Sequence, residues 1–166
     1  MNSHKNRALF LDRDGVINID KGYVSKIEDF EFIEGVFEFL REAMRQNLLL
    51  IIVTNQSGIG RGYYRLEDFK RLTEYMLQRL KEEGIAIAKV YFCPHSPEER
   101  CACRKPSSGM LLEAAETFDI DLENSIMIGD KESDMEAAKE AGIQKRWLFR
   151  ESRYDEKWFE KLIKRT

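Results

Sequence analysis

Asp12-Arg13-Asp14-Gly15 follows directly on a short apolar run, Ala8-Leu9-Phe10-Leu11. The run predicts a strand. In an extended chain alternate side chains share a face, so Asp12 and Asp14 are expected to point into one site while Arg13 points away. Two close carboxylates do not both ionise cheaply unless a cation or a proton sits between them. A divalent metal such as Mg²⁺, its oxygen shell completed by phosphate, answers that need. On this reading Asp12 is a nucleophile and metal ligand, and Asp14 is the proton-handling partner. An isolated Asp-x-Asp is more often a strand end with solvated acids, so the weight falls on what else the chain carries.

Three further segments carry matching chemistry. Thr54-Asn55-Gln56-Ser57-Gly58 offers a hydroxyl and free backbone N–H groups to a transferring phosphoryl group, with glycines that permit close approach. Gly58, Gly60 and Gly62 do not have the spacing of a dinucleotide fingerprint. Arg104-Lys105 supplies a bidentate fork and a point charge, both suited to anions. Gly129-Asp130-Lys131-x-x-Asp134 adds a carboxylate that completes a metal site. Asp134 reads either as a supporting acid or as a favourable charge at a helix N-terminus. Separately, Cys93-x-His95-x₅-Cys101-x-Cys103 uses all three cysteines of the chain. Three thiolates and one imidazole make a closed tetrahedral Zn²⁺ shell, structural rather than catalytic. That loop runs straight into Arg104-Lys105, so zinc is expected to hold those cations over the substrate.

The elements that must position these groups alternate. Strands are predicted at Ala8–Leu11, Leu48–Thr54, Ile87–Phe92, Ser125–Ile128 and Arg146–Phe149. Helices are predicted at Val36–Gln46, Leu66–Glu83, Gly109–Phe118, Ser133–Ala141 and Tyr154–Arg165. In the last of these, Trp158, Phe159, Leu162 and Ile163 are expected to face inward. The alternation implies a Rossmann-like α/β fold, a mostly parallel sheet with helices on both faces. Ligands in such sheets bind beyond the carboxyl ends of the strands, where Asp12, Thr54, Cys93 and Asp130 all fall. The segment 18–33 suits a hairpin flap and is too short for a large cap domain. One domain over residues 1–166, with a zinc loop at 93–103, is expected.

The 166 residues carry a net charge of −3, with 43% hydrophobic and 34% charged residues, as in an ordinary globular protein. That balance argues against a nucleic-acid or membrane-surface binder. The absence of an apolar leader-like segment at residues 1–7 and the odd cysteine cluster point to the cytoplasm. A monomer is the expectation from size.

The ordered set of DxD, Thr, Lys and GDxxxD resembles the haloacid dehalogenase phosphatase superfamily from Ala8 to Gly142. Phe10-Leu11-Asp12-Arg13-Asp14-Gly15-Val16-Ile17-Asn18 is similar to the branch that holds the heptose 1,7-bisphosphate and histidinol-phosphate phosphatases. The resemblance implies an aspartyl-phosphate route with Asp12, Asp14, Thr54 and Lys105 catalytic. Mg²⁺ would be held by Asp12, the Asp14 backbone carbonyl and Asp130. Asp20, Lys21, Gly22, Tyr23, Thr54, Asn55, Gln56, Ser57, Arg104, Lys105 and Lys131 would contact a phosphorylated sugar. The stretches around Asp20, Phe30 to Val36 and Gly109 to Leu112 resemble the heptose enzymes. The five-residue gap between His95 and Cys101 is closer to that of the histidinol-phosphate enzymes. Histidinol phosphate is therefore the second expectation, and a zinc-stabilised phosphate-binding module without catalysis is the third.

Overall fold

The computed structural model describes residues 5–158, 160 and 161. Five strands form one sheet: β1 (Arg7–Leu11), β2 (Leu48–Asn55), β3 (Lys89–Cys93), β4 (Ile126–Gly129) and β5 (Lys145–Leu148). All pair in parallel, in the order β3-β2-β1-β4-β5. The helices are α1 (Val36–Arg45), α2 (Ser57–Gly60), α3 (Leu66–Glu82), α4 (Gly109–Phe118), α5 (Glu132–Ala141) and α6 (Glu156–Trp158).

The strands are apolar along their length because both faces are covered. Leu9, Leu11, Leu50, Ile52, Ile126 and Ile128 pack against Phe39 and Leu40 of α1 and Leu72, Met76 and Leu80 of α3. The alternate residues Ala8, Phe10, Ile51, Val53, Tyr91 and Met127 face Met110, Leu111 and Ala114 of α4 and Ala137 and Ala138 of α5. The two-residue period of the strands thus divides one apolar sequence between two cores.

The register sets the site. Leu11, the last residue of β1, pairs with Ile52 of β2 and Ile128 of β4. The Asp12 amide then donates to the Ile128 carbonyl at 3.1 Å. The chain segments following β1, β2 and β4 therefore emerge side by side. Segment 18–33 folds back as expected of a flap: the Ile19 amide donates to Glu31 O and the Ile33 amide to Ile17 O.

The differences from the predicted elements are local. Residues 57–60 form a short helix, closed by the Arg61 amide donating to Ser57 O at 2.9 Å. Ser125 precedes β4, its buried hydroxyl accepting from the Ala8 amide and donating to Asp121 O. β3 begins at Lys89 and β5 one residue early. Of the C-terminal helix, Glu156–Trp158 is helical, and Tyr154 stands before it. Trp158 does pack inward, edge-on to Trp147 and Phe149. Phe159, Leu162 and Ile163 lie outside the described residues. No helix among the described residues is long and apolar enough to cross a membrane.

Candidate active site and cysteine loop

β1 stops at Leu11, so the two-residue alternation does not continue into Asp12-Arg13-Asp14. The amides of Val16, Ile17 and Asn18 all turn back to the Arg13 carbonyl. Arg13 consequently does not point away from the site as expected. Its side chain is buried (1% exposed), lies over the Phe69 ring, and reaches both Asp14 and the Val24 carbonyl of the flap. A buried guanidinium is tolerated only when paired; these partners take up Nε and Nη2, while Nη1 is buried without a hydrogen-bond partner. Asp14 accepts from Arg13 Nε and Nη2, from Asn18 Nδ2 at 2.9 Å and from Gln56 Nε2 at 3.3 Å. Its carboxylate also lines the open cavity described below.

Asp12 belongs to a different cluster. One carboxylate oxygen from each of Asp12, Asp130 and Asp134 lies within 4.8 Å of the others. Lys105 Nζ sits 2.5 Å from Asp134, 3.3 Å from Asp12 and 2.9 Å from the Val53 carbonyl, which accepts its proton. Asp134 is thus more than a charge at a helix end: besides capping α5 through the Lys131 amide, it pairs with Lys105 and so ties α5 to the cluster. Burial pushes the Asp12 carboxyl up to about 7; Lys105 opposes this, and Asp134, Asp14 and Asp130 add to it. Burial works against the Lys105 ammonium, but Asp12 and Asp134 outweigh it and hold its pKa above the ordinary value. Burial and then Asp134 raise Asp130. One ammonium among three carboxylates leaves an excess of negative charge.

Two glycines let these groups meet. A Cβ on Gly15, whose φ is +87°, would collide with the Asp130 carboxylate, and one on Gly129 would collide with Asp134. Asn55 clamps the basic segment: its Oδ1 accepts the Lys105 amide and its Nδ2 donates to the Lys105 carbonyl.

A cavity of about 320 Å³ opens beside the cluster, lined in part by Asp14, Asp20, Tyr23, Arg61, Arg104 and Lys131. Gly22, Asn55, Gln56 and Ser57 also border it. Lys21 does not: its ammonium pairs with Glu31 at 3.2 Å on the surface. Asp12, Thr54 and Lys105 are buried. The Gln56 side chain is buried too, bonded to Tyr64, Thr54 and Asp14 rather than presented to a ligand. Arg61, Tyr64 and Ser133 border the cavity without having been singled out in the sequence. Only the aromatic pair after the glycines and the Arg between them hinted at the first two.

Both expected metal groups pass a test of fit. Asp130 Oδ1 is buried without a hydrogen-bond partner in a cluster of hard oxygen donors, as a Mg²⁺ ligand would be. Cys93, His95, Cys101 and Cys103 bring their ligand atoms within 4.8 Å of one another. His95 Nδ1 is 3.3 Å from both Cys93 and Cys103, and Cys101 is 3.3 Å from Cys93 and 3.6 Å from Cys103. A tetrahedral zinc with Zn–S of ~2.3 Å needs sulfurs ~3.8 Å apart, close to these spacings. Cys93 and Cys103 are themselves in disulfide contact, with Cys101 a free thiol. A disulfide alone would give His95 and Cys101 no reason to converge on it.

A HAD-hydrolase-like family model matches residues 102–162. The D-glycero-β-D-manno-heptose-1,7-bisphosphate 7-phosphatase of Helicobacter pylori is 56% identical over 144 residues, 86% of this chain and 83% of that one. The α-heptose counterpart of Campylobacter jejuni is 58% identical over 84% of this chain and 80% of its own. The chain belongs to the heptose-1,7-bisphosphate 7-phosphatase family. It is a phosphomonoester hydrolase of the haloacid dehalogenase fold. The crystal structure of D,D-heptose 1,7-bisphosphate phosphatase from B. bronchiseptica, complexed with magnesium and phosphate, superposes with a TM-score of 0.80 at 31% identity, covering 86% of this chain and 79% of that one. The parallel five-stranded sheet and the absence of a large cap among the described residues agree with that family.

Proposed function

We propose that this chain is a Mg²⁺-dependent phosphatase that removes the 7-phosphate of D-glycero-D-manno-heptose 1,7-bisphosphate through an aspartyl-phosphate on Asp12. The observation that carries the reading is a matched pair of unmet needs at one strand-end site. Asp130 Oδ1 is a buried acceptor without a donor, and Arg104 Nη1 is a buried donor without an acceptor. A divalent cation answers the first and a phosphate answers the second.

Asp12 attacks phosphorus in line. A bond from its carboxylate oxygen to phosphorus forms as the bond from phosphorus to the C7 oxygen of the sugar breaks. Asp14 gives its proton to that oxygen, which leaves as the alcohol. The same carboxylate then takes a proton from the water that attacks phosphorus, freeing Asp12 and inorganic phosphate. Thr54 and Lys105 hold phosphoryl oxygens; this is catalysis by positioning and charge. Asp12, Asp130 and the Asp14 backbone carbonyl would hold Mg²⁺, which supplies positive charge against the phosphoryl oxygens when bound. Arg104 takes the second phosphate, and Lys131 with the turn from Asp20 to Tyr23 borders the sugar. Cys93, His95, Cys101 and Cys103 hold a structural Zn²⁺ that fixes the loop leading into Arg104, and residues 1–166 act as one domain. The names of the relatives favour the heptose bisphosphate over histidinol phosphate.

The test is phosphorus NMR of heptose 1,7-bisphosphate turnover. Loss of the C7 phosphate, retention of the C1 phosphate and arrest by a chelator are expected. Histidinol phosphate turned over with a higher kcat/KM, or release indifferent to Mg²⁺, would overturn the proposal.

A further inference from the structure

The carboxylate that handles protons is fixed from behind by a chain of side chains. Tyr64 is 8% exposed, and its hydroxyl donates to Gln56 Oε1 at 2.5 Å. Gln56 Nε2 donates onward to Thr54 Oγ1 at 2.9 Å and to Asp14 Oδ2 at 3.3 Å. An amide accepts at one end and donates at the other, and a carboxylate accepts only. The nitrogen end of Gln56 must therefore face Asp14, and the phenol is the group that holds it there by occupying the oxygen end. Thr54 Oγ1 accepts from Gln56 and donates over a long 3.5 Å contact to the Asn55 carbonyl. Burial pushes the Tyr64 phenol up to about 12, so it remains a donor across ordinary assay pH. Gly58 makes room for it: a Cβ there would overlap the Tyr64 ring. The Tyr63 amide donating to Gly58 O at 2.8 Å closes the turn that carries Tyr64 inward.

We infer that Tyr64 is a positioning residue for the acid–base carboxylate, acting through Gln56, and that Gly58 is glycine to admit its ring. The inference rests on the reading of Asp14 as the proton donor to the leaving oxygen. Without the phenol the Gln56 amide is free to turn. Its oxygen then faces Asp14 and accepts the proton that the acid form carries, drawing it away from the leaving oxygen.

The experiment compares two esters by kcat/KM, which covers the steps up to departure of the leaving group. A sugar alkoxide needs a proton to leave, whereas p-nitrophenolate does not. In Tyr64→Phe, kcat/KM for heptose 1,7-bisphosphate should fall about 10-fold or more, and that for p-nitrophenyl phosphate by less than about 2-fold. Gly58→Ala should give the same selective loss by displacing the ring. Equal losses on both esters, or none, overturn the inference. Asp14→Asn is the control, with a selective loss of about 100-fold or more expected. If Asp14→Asn slows both esters alike, the acid–base reading itself fails. If it is selective and Tyr64→Phe is not, only the role of Tyr64 fails.

Discussion

Lys105 and Asp134 form a buried ion pair of 2.5 Å, both side chains almost wholly removed from solvent. The pair joins the segment after the cysteine loop to the first turn of α5, across the carboxyl ends of β2, β1 and β4. The same ammonium serves Asp12 at 3.3 Å. Lys105→Met would leave both carboxylates without their cation. Removing one partner of a buried pair typically costs ~3–5 kcal/mol. Urea unfolding of the metal-free variant should show a loss of that order, and turnover should fall at least ~100-fold.

Asp12→Asn should behave in the opposite way on stability. It should abolish turnover by removing the proposed nucleophile, yet relieve a cluster of three carboxylates in which one ammonium pairs with only Asp12 and Asp134. Asp134 keeps Lys105 paired. At pH 8 without metal, the melting temperature should rise by ~2 °C or more, the shift expected for about 1 kcal/mol in a chain of this size. A lower melting temperature would contradict the electrostatic account.

The cysteine loop offers a direct chemical count. With zinc bound, the protein denatured in chelator without reductant should present all three thiols and release one Zn²⁺ per chain. A Cys93–Cys103 disulfide would present only Cys101. Zinc ligation in small peptides amounts to ~10–16 kcal/mol. Cys101→Ser should therefore loosen the loop and weaken substrate binding through Arg104, read as a raised KM.

Gly15→Ala tests the close packing of the catalytic turn. The new methyl would strike the Asp130 carboxylate, on a backbone of left-handed φ. Turnover should fall at least ~10-fold with a raised Mg²⁺ requirement. The backbone strain should cost ~1–3 kcal/mol in chemical denaturation. Unchanged Mg²⁺ dependence would show that Asp130 does not need that approach.

Tyr154 gives a pH prediction away from the metal cluster. Its ring stacks between Phe39 and Phe149, and its hydroxyl donates to the Val16 carbonyl at 2.8 Å, bracing the catalytic turn. Burial raises its pKa well above the ordinary value. The unfolded chain therefore loses this proton first, so the stability is present below about pH 10 and is lost as pH rises beyond it. Tyr154→Phe should cost ~1 kcal/mol at pH 7, with a smaller deficit at pH 11 on comparison of the two melting curves.

The alternation of apolar strands with amphipathic helices was enough to predict a parallel sheet, because strands covered on both faces read as continuous apolar runs. It also placed Asp12, Thr54, Cys93 and Asp130 at strand ends, and the cysteine spacing alone marked a four-donor cluster. Three things needed the folded chain. Arg13 turns inward because side-chain alternation holds only while the backbone is extended, and β1 ends at Leu11. Asp134 joins Lys105 because the strand order β2-β1-β4 brings their segments together, and no local pattern encodes a pairing between distant segments. Tyr64 reaches Asp14 through Gln56 because residues 57–60 coil into a helical turn that the glycines disguised as a loop. Local sequence determined which groups exist and which elements carry them; the packing of those elements decided which groups touch.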